Sequence, residues 1–497
     1  MTLTTGRPAP RFPADLETAT VARLAHLLDA HAITGVGLTR AHLARIEALN
    51  PTLNAVRALN PHAVAEAEAA DERRMEGGGG PLLGIPVLVK DNIDVRGMPT
   101  TAGSVALANS YPHADARLVT NLRDAGAVIL GKANLTELAN FLAEDMPGGY
   151  SSLGGQVLNP YDASQSPSGS SAGSGAAAAA GLAPLTVGTE TSGSILSPAA
   201  ANSVVGIKPT VGLISRTGVV PIAASQDTAG PMTRTVADAA AELTALTGVD
   251  PLDPATADNP LAGHDFTTNL RAGALRGARI GVVRSEVPDE GGDNRTLWDA
   301  AVAELTGLGA TLVPVTLDTS GGFPERSTVL HYEFKRGLNA YLAQLPGTAP
   351  VRSLAELVAY NGAHAPVALK FGQARALTSQ AMNLSPGSAD TARYEVDRAR
   401  DLADSRGRID AVMAEYDLTA LLFAGAGGAS IGAQAGYPSI AVPAGYQAAN
   451  RRPFTIVLLG RAWTEPTLIG YAYAYERAST LRRAPSALNP TLFRAAP

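Results

Sequence analysis

Two serine-bearing turns lie in the middle of the chain, within residues 159–218. Ser170 and Ser171 belong to the first turn, and Ser192 and Ser194 belong to the second. The stretch is not a flexible linker, because an alanine-rich, helix-forming run and apolar strand-like runs separate the turns. Small residues at the ends of such elements let a backbone approach a substrate closely. The pattern therefore favours a nucleophilic serine site.

A serine hydroxyl becomes an effective nucleophile only when a base removes its proton. Histidine is the usual base, but the eight histidines mostly fall in predicted helices or loops outside the serine-rich stretch. No two of them have the HxH or HxxxH spacing of metal ligands: His26, His31, His42, His62, His113, His264, His331 and His364. The sequence thus predicts neither a metal site nor a cofactor.

Lysine usage indicates a different base. The chain has five lysines against 34 arginines, and Lys90 ends the apolar run GIPVLVK. An ammonium group is costly to desolvate, and burial can lower a lysine pKa by ~3–5 units, which leaves a neutral amine able to accept a proton. The alternative is a structural lysine that forms a salt bridge with Asp91 or Asp94.

Three motifs in this order resemble those of the amidase signature family: GIPVLVKDNID, SGSSAG and GTETSGSI. The similarity extends from ARLAHLLDA near the start to AWTEPTLIGYAYAYE near the end, so it covers almost the whole chain. The resemblance implies that Lys90 is the base and that Ser194 is the nucleophile. It also implies that Ser170, on a cis peptide bond after Gly169, relays the proton between them.

The family mechanism further implies an acyl-enzyme intermediate and hydrolysis of an amide to an acid and ammonia or an amine. Consecutive backbone N–H groups would stabilise the oxyanion, and such donors contribute ~3 kcal/mol each. The resemblance assigns them to one loop, hereafter the oxyanion loop: Thr191, Ser192, Gly193 and Ser194.

The class of substrate is predicted from one position that differs from many members of the family and from three further segments. Leu196 stands where many members that act on short acids or on aminoacyl-tRNA carry arginine, which argues against a free carboxylate in the substrate. SSLGGQVLNPY, PIAASQDTAGPMTR and YEFKRGLNAYL resemble peptide amidase-like members. By that resemblance, Leu196 binds substrate, and the substrate is a peptide C-terminal amide or another bulky acyl or aryl amide.

Alternating helix and strand patterns predict an α/β fold. The resemblance implies a single large mixed β-sheet core covered by helices on both faces, in one domain over residues 1–497. A helical segment at roughly 327–400 would recognise the substrate. At finer detail, Thr39 is predicted to cap a helix that ends at Asn50-Pro51, and the run LTELANFL is predicted to be helical.

Composition limits the partners and the location. The net charge is −6 without a basic run, so nucleic acid is not expected as a partner. No apolar run approaches the ~20 residues that span a bilayer, and the first residues do not resemble a signal peptide. Without cysteine the chain forms no disulfide. We expect a cytoplasmic monomer or homodimer that acts on a small-molecule or peptide amide.

Three alternatives remain open from the sequence. Gly169 to Gly173 fits the G-x-S-x-G elbow of α/β-hydrolases, which would make Ser171 the nucleophile of an esterase. Within the amidase signature family, the chain could instead be the amidotransferase component of a tRNA-dependent complex. A non-catalytic relative that only binds is the third alternative, although all three triad positions are filled.

Overall fold

The computed structural model describes residues 12–319 and 327–494. Its core is an eleven-stranded mixed sheet with the strand order β1-β3-β2-β6-β8-β7-β12-β13-β11-β9-β10, and β4 and β5 form a separate small hairpin. The strands are β1 (Val56–Leu59), β2 (Pro86–Lys90), β3 (Val128–Ala133), β4 (Tyr150–Ser151), β5 (Gly155–Gln156), β6 (Leu185–Glu190), β7 (Val205–Lys208), β8 (Thr228–Thr233), β9 (Arg279–Val283), β10 (Thr311–Val315), β11 (Ala420–Ala424), β12 (Ser439–Tyr446) and β13 (Pro453–Leu459).

Successive residues of a strand point to opposite faces of the sheet. In the inner strands both sets of side chains are buried, because helices cover both faces of this sheet. Val87 and Val89 belong to one buried cluster, whereas Leu88 belongs to another. The predicted α/β fold is therefore confirmed. The helices are α1 (Val21–Asp29), α2 (Gly35–Leu53), α3 (Ala63–Met75), α4 (Arg117–Asp124), α5 (Glu137–Asn140), α6 (Ala172–Ala179), α7 (Leu196–Ala201), α8 (Val236–Leu246), α9 (Asp293–Gly307), α10 (Val329–Gln344), α11 (Leu354–Ala363), α12 (Ala365–Ala368), α13 (Ala374–Ala381), α14 (Ala389–Leu402), α15 (Arg408–Glu415), α16 (Ala429–Ala435), α17 (Glu465–Ser479) and α18 (Pro485–Leu488).

The predicted start and end of the second helix are wrong. Helix α2 is capped by Thr34, whose hydroxyl accepts the N–H of Gly37, rather than by Thr39. The carboxylate of Asp71 satisfies a further N–H at this end, that of Gly35 at 2.6 Å. The helix also continues through Pro51, which lies in its last turn. Thr34 is a local cap, whereas the added contact from Asp71 and the tolerance of Pro51 depend on the tertiary structure, which local spacing does not report.

The run LTELANFL is not the helix that its pattern predicts. Helix α5 has four residues, and inside it Leu138 and Ala139 adopt left-handed backbone angles, with φ of 47° and 53°. Hydrogen bonds to other loops replace those of a helix, because the N–H of Thr136 donates to Ser170 O and the N–H of Leu138 donates to Ala102 O. The segment therefore lies beside the first serine turn.

Helix α6 carries that turn at its N-terminus and is fully buried. Its small residues permit close packing against neighbouring backbone. A Cβ on Gly173 would lie 2.3 Å from Asn134 O and 2.4 Å from Ala55 O. No side chain larger than hydrogen fits there, so glycine allows the turn to sit directly above the sheet.

Helices α10 to α14, residues 329–402, form a helical layer that we call the cap. It packs through Phe334 and Leu338 on the loop that contains Phe141, Leu142 and Met146. The segment predicted at 327–400 is thus helical and lies over the loops near the serine turns. Among the described residues, none of the helices combines the length and apolar character needed to cross a bilayer.

Candidate active site

Lys90 ends strand β2 and is fully buried. Its Nζ donates to Ser170 Oγ at 2.8 Å and to Thr189 Oγ1 at 2.8 Å. A third contact reaches the Thr189 carbonyl oxygen at 3.2 Å. Lys90 therefore joins the first serine turn to the end of strand β6.

Burial lowers the pKa of Lys90 from 10.5 to about 7, and the nearby carboxylates of Glu190 and Asp227 only partly oppose this shift. The salt bridges considered as an alternative are absent from residues 12–319 and 327–494. Asp91 pairs with Lys132 at 3.1 Å, and Asp94 accepts the hydroxyl of Tyr341 at 2.7 Å. Near neutral pH, a substantial fraction of Lys90 is thus a neutral amine that can accept a proton.

Ser170 follows the peptide bond predicted to be cis, and the Gly169–Ser170 bond is cis. Its side chain is fully buried and faces Lys90.

Ser194 lies between strand β6 and helix α7 and is 7% exposed. The N–H of Ser171 donates to Ser194 O at 3.2 Å, so the two serine turns contact each other through the backbone. Both serines lie in the described part of the chain, and their hydroxyl groups do not form a hydrogen bond with each other. The structure thus brings Lys90 and Ser170 into direct contact and places Ser194 beside them.

The oxyanion loop turns at Gly193, whose φ of +82° is in the region that favours glycine. A Cβ there would lie 3.0 Å from Ser197 Oγ. Ser192 donates its hydroxyl to Ser430 Oγ at 3.1 Å and so ties the loop to helix α16. The side chain of Ser192 therefore adds a contact between the oxyanion loop and a neighbouring helix.

Glu190 supports the other side of this loop and was not identified from the sequence. Its Oε2 accepts the N–H of Ile195 at 2.7 Å and that of Leu196 at 2.9 Å. Burial raises the pKa of Glu190, while the ammonium of Lys208 opposes the rise. A carboxylate that accepts two N–H groups just after Ser194 fixes the direction in which the chain leaves that residue.

Asp227 and Gln226 hold the start of the loop and were likewise missed. The hydroxyl of Thr191 donates to Asp227 Oδ1, and the side-chain amide of Gln226 donates to Thr191 O at 3.0 Å. Burial raises the pKa of Asp227 to about 6. Both residues occur in the segment PIAASQDTAGPMTR, but no spacing rule connects them to Thr191.

Leu196, predicted to bind substrate, has no exposed surface. It packs in a buried cluster with Ile195, Phe423 and Ile431, beneath the oxyanion loop. Its influence on a substrate would therefore act through packing. A direct role for Leu196 in substrate binding stays a prediction.

The geometry does not favour Ser171 as an esterase nucleophile. Its side chain is fully buried, its hydroxyl donates to Thr189 O at 3.0 Å, and the same oxygen accepts the Thr189 N–H at 3.2 Å. Both hydrogen-bonding roles of the hydroxyl are thus used to fasten the turn to strand β6.

No histidine joins this group of contacts in the described part of the chain. His331 hydrogen-bonds Ser379 in the cap, and His42 is buried elsewhere with its pKa lowered to about 3, mainly by burial. The same residues contain no group of three or more histidine and acidic side chains that could hold a metal ion.

The chain is similar to known amidases over most of its length. The family model described as Amidase matches residues 37–424. A probable amidase from Arabidopsis thaliana is 40% identical over 484 residues, which cover 95% of this chain and 92% of that protein. The crystal structure of native peptide amidase from Stenotrophomonas maltophilia superposes with a TM-score of 0.89 at 45% identity, covering 94% of this chain and 98% of that one.

A relative with a different activity matches a shorter region. The glutamyl-tRNA(Gln) amidotransferase component from Acidothermus cellulolyticus is 42% identical over 306 residues, which cover 61% of this chain and 59% of that protein.

Proposed function

Because the chain belongs to the amidase signature family, we propose that Ser194 is its nucleophile, with Ser170 as proton relay and Lys90 as base. The enzyme is an amidase that hydrolyses carboxylic amides. Its membership of an enzyme family also disfavours the non-catalytic alternative.

In the proposed reaction, neutral Lys90 accepts the proton of Ser170 as Ser170 takes that of Ser194. Ser194 Oγ then bonds to the amide carbon, and the negative charge on the carbonyl oxygen is stabilised by N–H groups of the oxyanion loop. The proton held on Lys90 returns through Ser170 to the leaving nitrogen, and the C–N bond breaks. Water attacks the acyl-enzyme by the same relay, which releases the acid and regenerates Ser194.

One observation carries this assignment: Lys90 Nζ lies 2.8 Å from Ser170 Oγ and has no carboxylate partner among the described residues. A charged lysine paired with an aspartate would be structural. A buried lysine with a pKa of about 7 and a serine hydroxyl in contact is suited to general base catalysis.

We further propose that the substrate is a peptide C-terminal amide or another bulky, uncharged amide. Similarity to peptide amidase over nearly the whole chain supports this choice. The first residue of helix α7 is the apolar Leu196 and not a cation that could pair with a substrate carboxylate. The cap also covers the loop around Phe141 with apolar side chains. Cytoplasmic location and a monomeric or dimeric state stay predictions.

The decisive experiment combines labelling with turnover. A fluorophosphonate probe should modify Ser194 in the wild type and should not label Ser194→Ala. Ser164 is an exposed serine whose hydroxyl donates to Asp162, and the control variant Ser164→Ala should label normally. Ammonia release from a peptide amide should exceed that from malonamate in kcat/KM. An adduct on another serine would contradict the assignment of the nucleophile, and a preference for malonamate would contradict the substrate class.

The amidotransferase alternative rests on the shorter match to the glutamyl-tRNA(Gln) amidotransferase component. It predicts that amide turnover requires partner proteins and tRNA. Steady amide hydrolysis by the purified single chain, without added RNA, would exclude that alternative.

A further inference from the structure

We infer that Glu333, on cap helix α10, is a positioning residue for the oxyanion loop, acting through residues 220–227. This inference rests on the proposed function, because it assigns a role to the loop that stabilises the oxyanion. Glu333 lies in YEFKRGLNAYL, a segment that resembles peptide amidase-like members, but the three motifs that contain Lys90, Ser170 and Ser194 do not include it. The direct contacts of Lys90 do not include it either.

The first step of the connection joins the oxyanion loop to residues 220–227. Besides accepting the Thr191 hydroxyl, Asp227 uses its Oδ2 to accept the N–H groups of Ile222 at 2.8 Å and Ala223 at 2.9 Å. The carboxylate is buried, so each of these hydrogen bonds forms away from competing water. Thr191 is therefore fixed relative to the turn that contains Ile222 and Ala223.

The second step joins the same turn to the cap. Glu333 is 3% exposed, and its Oε2 accepts the N–H of Ser225 at 2.9 Å. Its Oε1 accepts the hydroxyl of Tyr394, on cap helix α14, at 2.7 Å. Arg336 lies 3.5 Å from the same oxygen. The carboxylate thus ties two cap helices to a backbone donor two residues before Asp227.

Apolar packing keeps this connection stiff. Ile222 and Ala223 belong to the same buried cluster as Phe334 and Leu338 of helix α10. On the other side, Arg216 donates to Ala224 O and pairs with Asp253. Close-packed contacts transmit small displacements instead of absorbing them. A shift of the cap should therefore move Asp227 and with it Thr191.

The predicted consequence concerns the transition state more than substrate binding. N–H groups of the oxyanion loop interact most strongly once the carbonyl oxygen carries negative charge. Loss of the Glu333–Ser225 contact should therefore lower kcat about 10- to 100-fold, as expected for a small misplacement of catalytic groups, and leave KM nearly unchanged.

The test compares Glu333→Ala and the volume-preserving Glu333→Met with Glu333→Gln, whose side-chain oxygen can still accept the Ser225 N–H. The first two should lose kcat, and Glu333→Gln should retain most of it. Lys335→Met is the matched control: Lys335 lies on the same helix, and within residues 12–319 and 327–494 its ammonium donates to two carbonyl oxygens of the cap, those of Gln380 and Met382. It should keep the kcat of the wild type.

A double-mutant cycle separates positioning from general stability. Thr191→Val removes the hydroxyl that reaches Asp227 and keeps the backbone N–H. If Glu333 acts through the same connection, the combined loss in kcat should be smaller than the product of the two single losses. A peptide aldehyde, which forms an anionic adduct on the nucleophile, should bind more weakly to Glu333→Ala, whereas the product acid should bind unchanged.

Several results would overturn the inference: wild-type kcat in Glu333→Ala, losses that multiply in the double variant, or equal losses in Glu333→Gln and Glu333→Ala. Failure of both Glu333→Ala and Glu333→Met to fold would do the same, because Glu333 would then serve the fold alone. The proposed function fails separately, if the wild type forms no adduct on Ser194. An adduct there with unchanged Glu333→Ala turnover would contradict the positioning role only.

Discussion

Lys90 and Lys132 lie on adjacent parallel strands, one residue out of register, and both are fully buried. Lys132 is paired with Val89, the residue before Lys90. Since neighbouring residues of a strand point to opposite faces of the sheet, so do the two lysine side chains. Lys132 pairs with Asp91 at 3.1 Å, whereas Lys90 contacts hydroxyl and carbonyl oxygens. Burial alone therefore does not distinguish the two lysines, and their partners do.

Lys90→Arg should fold and be almost inactive. Arginine keeps the positive charge but does not lose its proton in the working range of pH, so the relay would have no base. We expect amide turnover to fall about 10²- to 10⁴-fold, the usual contribution of general acid–base catalysis. Steady-state kinetics on a peptide amide, with circular dichroism to verify folding, would measure this. Near-normal turnover in a folded Lys90→Arg enzyme would show that Lys90 is not the base.

The activity of the wild type should rise with pH through about 7, the pKa to which burial lowers Lys90. The sign follows from the chemistry, because only the deprotonated amine accepts a proton from Ser170. Activity should then stay high into the alkaline range. A kcat/KM profile measured against pH would test this, and a profile that is flat through pH 7 or falls above it would contradict the assignment.

Lys132→Met should affect stability. The substitution leaves Asp91 buried, with Arg57 at 3.5 Å as its one remaining ion-pair partner in the described part of the chain. Removing one partner of a buried pair usually lowers the free energy of unfolding by about 3–5 kcal/mol. Urea denaturation would measure the loss, with Lys335→Met, at a half-buried position, as the milder comparison. Equal stabilities of the two variants would show that the Lys132–Asp91 pair contributes little.

Lys90 and Ser170, which are in direct contact, could be singled out from sequence because they lie in motifs that resemble those of the amidase signature family. Lys90 ends an apolar run, and Ser170 lies in a run of small residues; the structure places the two in contact. The supporting residues could not be predicted in this way. Glu190, Asp227 and Glu333 form hydrogen bonds to backbone groups, and these depend on where loops meet in space.

The fold shows the same division. Long apolar patterns predicted the α/β class, and the sheet confirms it. Local patterns failed where a group distant in the sequence accepts a backbone N–H. Asp71 accepts the N–H of Gly35 at the start of helix α2, and the carbonyl oxygen of Ala102 accepts the N–H of Leu138. The catalytic roles of Lys90, Ser170, Ser194 and the oxyanion loop stay predictions, which the labelling and kinetic experiments test.

Ser171→Ala should weaken the fold and leave the chemistry on Ser194. The variant loses both hydrogen bonds between the Ser171 hydroxyl and Thr189, one of them with the Thr189 N–H. Leaving such buried groups unpaired lowers the free energy of unfolding by about 1–3 kcal/mol. A fluorophosphonate should still label the variant, on Ser194, as intact-protein and peptide mass spectrometry would show. Loss of all labelling in a folded Ser171→Ala protein would revive the elbow interpretation.

Glu190→Ala and Glu190→Gln should differ, because the amide oxygen of glutamine can accept the same two N–H groups as the carboxylate oxygen of Glu190, and alanine has no such acceptor. In Glu190→Ala, the N–H groups of Ile195 and Leu196 lose their acceptor, which should displace Ser194 and lower kcat about 10²-fold. In Glu190→Gln, the amide oxygen can accept both N–H groups, so most of the kcat should remain.

The glutamine variant should nevertheless be less stable than the wild type. Glu190 Oε1 is buried without a hydrogen-bond partner among the described residues, so an amide NH₂ at that position would find no acceptor. Leaving it unpaired should lower the free energy of unfolding by about 1–3 kcal/mol. Kinetics and urea denaturation of the two variants, measured in parallel, separate the effects. If Glu190→Gln lost as much kcat as Glu190→Ala, the negative charge of Glu190 would matter for the reaction, rather than its hydrogen bonds to the residues after Ser194.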